Sequence, residues 1–144
     1  MIEQDTIKLL RECDAGTKMG IASIDDVLHR VSSDKFSQSL NTCKQEHEKL
    51  QCEIHQLLTK YHDSGKNPNP IAKSMSHLKT GMTLAVNETD AAIAGLMTDG
   101  CDMGVKSLSK YLNQYKAADE ASKDITKRLI ALEESLGKEI RGYL

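Results

Sequence analysis

Cys43 and His47 stand four residues apart, the spacing that brings two side chains to one face of a helix. A thiol and an imidazole so placed can hold a soft or borderline metal ion. Cys101 and Asp14 would complete a four-donor set that suits zinc, with iron as the other candidate. Counting outward from the expected turns near residues 33 and 117 sets Asp14 opposite residue 52, His47 opposite residue 19 and Cys101 opposite Glu133. Asp14, Lys18, Cys43, His47, Cys101 and Glu133 are therefore expected within a turn or two of one level. The same residues can also make a ligand-free cluster, in which Asp14 accepts from Lys18 or His47 and the cysteines pack as small apolar groups. Cys52 and His55, three apart, fall off the apolar stripe and read as solvated flank. No catalytic residue is assigned.

A carboxylate-bridged di-iron centre takes a Glu from each of two helices and a Glu-x-x-His pair from each of the other two. The histidines are His29, His47, His55, His62 and His77, and three residues before them stand Asp26, Lys44, Cys52, Thr59 and Ser74. Only Asp26 is a carboxylate, and Asp26 and His29 lie off the apolar stripe. Iron oxidation of the ferritin type is not expected. A phosphate loop, a Ser/His/Asp order and a nucleophile elbow are all missing from the sequence as well, so the chain reads as a binding protein rather than an enzyme.

The elements that must position these residues are four amphipathic helices. Ile7, Leu10, Asp14, Thr17, Ile21, Ile24, Leu28 and Val31 recur at three- and four-residue steps, which predicts a first helix from about residue 3 to 31. Ser32-Ser33-Asp34 supplies a break and an N-cap. A second helix follows on Phe36, Leu40, Cys43, His47, Leu50, Ile54, Leu57 and Tyr61, and the short connection makes the two antiparallel. Residues 63–69 read as a linker, with Gly65 as the helix stop and Asn69-Pro70 opening a short helix over 70–86. A single helix from 70 to 115 would run ~69 Å at ~1.5 Å per residue, far beyond its neighbours, so a break is placed at Asn87. The last pair rests on Ile93, Met97, Gly100, Gly104, Leu108, Tyr111 and Tyr115, then on Ile125, Leu129, Leu132, Leu136 and Ile140, parted by residues 116–119. The glycine pairs Gly16/Gly20 and Gly100/Gly104 imply either close helix packing or room for a ligand.

Residues 1–144 are expected to form a single domain, because the chain is of one-core length and 39% hydrophobic. With no Trp and a single Phe, the core must be aliphatic. Nineteen basic against 21 acidic residues give a net charge of −2, and no basic stripe forms, so no nucleic-acid partner is expected. No apolar run is long enough to span a membrane and no leader pattern opens the chain, which points to no membrane association and a cytoplasmic location. The four cysteines lack paired spacing and are expected to be reduced thiols.

Glu12-Cys13-Asp14-Ala15-Gly16 in the first helix and Asp99-Gly100-Cys101-Asp102 in the third are similar to small bacterial ferritin-like proteins of unknown function. That resemblance implies an all-α, ferritin-like four-helix bundle: long antiparallel A/B and C/D pairs, with 70–86 as an extra crossover helix between B and C. Relatives often carry Gly-Glu-Asp where this chain has Gly100-Cys101-Asp102, so a thiol replaces a carboxylate on the third helix. The functional expectation is a bundle without the di-iron ligands that acts as a non-catalytic binding or interaction module, with a homodimer as a candidate assembly. The alternative is a redox-related bundle that binds zinc or iron at the Cys/His/Asp site.

Overall fold

A computed structural model describes residues 2–69, 80–82, 84 and 88–144. Every regular element among them is helical: α1 (Ile2–Leu28), α2 (Asp34–Thr59), α3 (Asp90–Gln114), α4 (Glu120–Ile140) and a terminal 3-10 turn (Arg141–Tyr143). Most of the expected 70–86 crossover helix, with the Asn87 break, lies outside the described residues. Residues 80–82 and 84 are helical, and Leu84 is buried in the core.

Three of the helices start where a side-chain oxygen can satisfy a free amide of the first turn. Ser33 accepts from the Phe36 N–H, Thr89 from Ala92 and Asp119 from Ser122. The third helix is thus capped at Thr89, two residues beyond the expected break. α1 ends at Leu28 rather than near residue 31, because the Arg30 and Val31 amides turn back three residues to Val27 and Leu28. Val31 nevertheless packs on the core from the turn. α2 does not stop at Gly65. Its end is closed by the Asp63 N–H donating to Leu58 and the His62 N–H to Thr59, with His62 in the left-handed region at φ 55°. This is the double hydrogen bond of a Schellman cap, with histidine where glycine usually sits.

Cross-helix contacts set the directions. Asp25 meets Lys44 and Asp14 meets His55, so α1 and α2 are antiparallel; Gly104 faces Glu133 and Gly137 faces Cys101, so α3 and α4 are too. Asp5 and Thr6 accept from the amides of Ala117 and Asp119, and Cys13 meets Thr126, so α1 and α4 run the same way. α2 and α3 must then also be parallel. At one end, the Asp90 carboxylate accepts from the Ser32 and Ser33 amides. Beyond the end of α2, Lys66 bonds to Glu12 and Asp14, near the middle of α1.

α2 packs on α1 and α4, α3 packs on the same two, and α1 also touches α4. The core between them falls into two apolar clusters. One holds Ile24, Phe36, Leu40, Ile93, Met97, Leu136 and Ile140; the other holds Leu10, Leu50, Ile54, Leu58, Leu108, Ile125 and Leu129. No helix among the described residues is long and apolar enough to cross a membrane.

Candidate functional site

Between the two apolar clusters each helix reaches the core with something other than a large apolar side chain. α1 contributes Thr17 and Gly20, α2 His47, α3 Gly104 and α4 Glu133. On every helix these residues fall between the members of one cluster and those of the other. The periodicity that makes the helices amphipathic thus carries the imidazole and the carboxylate into the middle of the protein.

His47 is 1% exposed, and both ring nitrogens are engaged. Nδ1 lies 2.8 Å from the Cys43 carbonyl oxygen and 3.4 Å from the Cys43 Sγ; Nε2 lies 2.7 Å from the Glu133 Oε1. Carbonyl and carboxylate oxygens only accept, so both nitrogens donate and the ring is an imidazolium. Burial opposes that charge, but the hydrogen bonds to Cys43 and Glu133 and the Glu133 charge outweigh it and push His47 up to about 10. The result is a buried ion pair joining α2 to α4, with the Glu133 side chain 12% exposed at its outer edge.

Cys101, from α3, faces the same carboxylate. Burial first, then the Glu133 charge and hydrogen bond, push its thiol far above the usual range. It therefore remains protonated, and a thiol is a poor nucleophile and metal ligand compared with the thiolate. Cys13 lies a few turns away against Thr126, at 3.1 Å. The Thr126 hydroxyl already donates to the Ser122 carbonyl, so the Cys13 S–H is the donor, and burial pushes that thiol up to about 12. Cys52 is exposed.

Asp14 and Lys18 belong to a different site. The fully buried Asp14 carboxylate accepts from Lys18 Nζ at 2.8 Å, His55 Nε2 at 2.8 Å and the Lys66 amide at 2.9 Å. Lys18 also donates to the Lys66 carbonyl and the Asn67 side chain, while Arg11 pairs with Asp63, whose carboxyl it holds below the usual range. Asp14 thus staples α1 to α2 and to the chain leaving α2. The six residues expected within a turn or two of one level divide into two bonded groups. Cys43, His47, Cys101 and Glu133 come together, whereas Asp14 takes His55 rather than His47 as its imidazole partner. His55 is exposed, as its place off the apolar stripe implied, and it also bonds to Asp14. Counting equal steps from the turn ignores the axial offset of the two helices, which places the Asp14 partner three residues further along α2.

The glycines divide by cause. A Cβ on Gly20 would lie 2.7 Å from Nε2 and 2.8 Å from Cδ2 of His47, so this glycine is the space into which the imidazole fits. One on Gly65, at φ +89°, would collide with the Asp14 carboxylate. Gly16 and Gly104 would make ordinary contacts, and a Cβ on Gly95 or Gly100 would meet nothing within 4 Å. Each of those last two sacrifices about 1 kcal/mol of helix propensity relative to alanine with no contact among the described residues that requires it.

Among the described residues, no three of the His, Cys, Asp and Glu side chains are arranged to hold a metal ion. A shallow groove of about 230 Å³ between α2 and α4, walled by Leu57, Ile125 and the forked Arg128–Glu53 pair, is separate from the His47 layer. No protein-family model, curated protein or solved structure matches the chain.

Proposed function

We propose that this chain is a ferritin-like four-helix bundle that has given up the di-iron centre and serves as a non-catalytic binding or interaction module. The observation that carries this reading is the His47–Glu133 pair: the middle of the core is filled by one imidazolium and one carboxylate that satisfy each other. Support for the bundle topology comes from the parallel run of α2 and α3, the arrangement that in ferritin-like proteins goes with a long crossing connection. The di-iron centre does not fit the residues present, since the sequence has no Glu-x-x-His and Cys101 stands on the third helix as a protonated thiol. Exposure of the purified protein to ferrous ion in air tests the reading. No protein-dependent consumption of oxygen is expected, and stoichiometric iron uptake with oxygen or peroxide consumption would overturn it.

A second reading, a bundle that takes zinc or iron at the same layer, is favoured by one feature. The Nδ1–H of His47 is tied to the Cys43 carbonyl, the outer hydrogen bond that commonly orients a metal-binding imidazole and leaves Nε2 for the ion. A metal there would have to displace the Nε2 proton and draw in Glu133 and Cys101. Elemental analysis of untagged protein purified without chelator separates the two: a stoichiometric metal that His47→Ala removes without loss of helical content favours the second, and metal-free folded protein the first.

A further inference from the structure

We draw no further inference here: the strongest candidate, the surface pair of exposed Cys52 and half-exposed His55 three residues apart on the flank of α2, carries none because no three His, Cys, Asp or Glu side chains among the described residues are arranged to hold a metal ion, which leaves a lone thiol beside an imidazole already bonded to Asp14.

Discussion

The Nε2 of His47 lies 2.7 Å from the Glu133 Oε1, and the two residues join α2 to α4 at a polar level between the two apolar clusters. A buried ion pair of this kind adds little net stability over an apolar pair, but removing one member strands the other's charge. His47→Ala and Glu133→Ala are each expected to cost about 3–5 kcal/mol in urea unfolding. The double variant His47→Leu with Glu133→Leu should recover most of that loss. If the double variant is as unstable as the two singles combined, the residues do not act as a pair.

The same pair makes stability depend on alkaline pH. Folding raises His47 above the ~6.5 of a free imidazole, so its contribution is complete below that value and is lost as pH rises towards about 10. Between pH 7 and 10 the melting temperature of the wild type should therefore fall more steeply than that of Glu133→Gln, which lacks the charge holding the proton. Parallel curves would mean that the ring is neutral.

Gly20 and Gly16 lie one turn apart and should respond to alanine with opposite signs. Gly16→Ala adds a Cβ at ordinary contact distance and is expected to stabilise by about 0.5–1 kcal/mol. Gly20→Ala drives a Cβ into the His47 ring and is expected to cost about 1–3 kcal/mol. Thermal melts of the two variants decide the matter, and equal effects would contradict the packing of the imidazole against Gly20.

His62 occupies the left-handed cap position of α2 at φ 55°, where an L-residue with a Cβ costs about 1–2 kcal/mol. His62→Gly is expected to stabilise by about 0.5–1 kcal/mol after the entropy of the freer unfolded chain is subtracted. An unchanged or lower melting temperature would show that the side chain contributes more than its backbone strain costs.

Asp14 holds the chain beyond α2 through the Lys66 amide. Asp14→Ala is expected to destabilise the fold by about 3 kcal/mol, since charge-assisted bonds from Lys18, His55 and Lys66 are lost together. Hydrogen exchange should also accelerate selectively at Lys66. Protection there that survives the substitution would assign the anchoring to the Arg11–Asp63 and Lys66–Glu12 pairs instead.

Four helical stripes, the cap at Ser33, the polar break before Glu120 and the absence of Glu-x-x-His pairs all follow from local patterns, because helix periodicity and capping are settled within a few residues. His47 and Cys43 could be placed inward for the same reason. The identity of their partners could not, since periodicity says which face turns inward but not the axial offset between two helices. That offset sends Asp14 to His55 and leaves His47 to Glu133. The cap at His62 was hidden by the nearby glycine, whose intrinsic preference pointed to position 65. Composition and spacing by themselves thus determined an all-helical chain with polar groups aimed at its core. Only the tertiary structure decided that those groups form two separate sites, because hydrogen bonds a few ångströms long depend on helix positions that no single helix specifies.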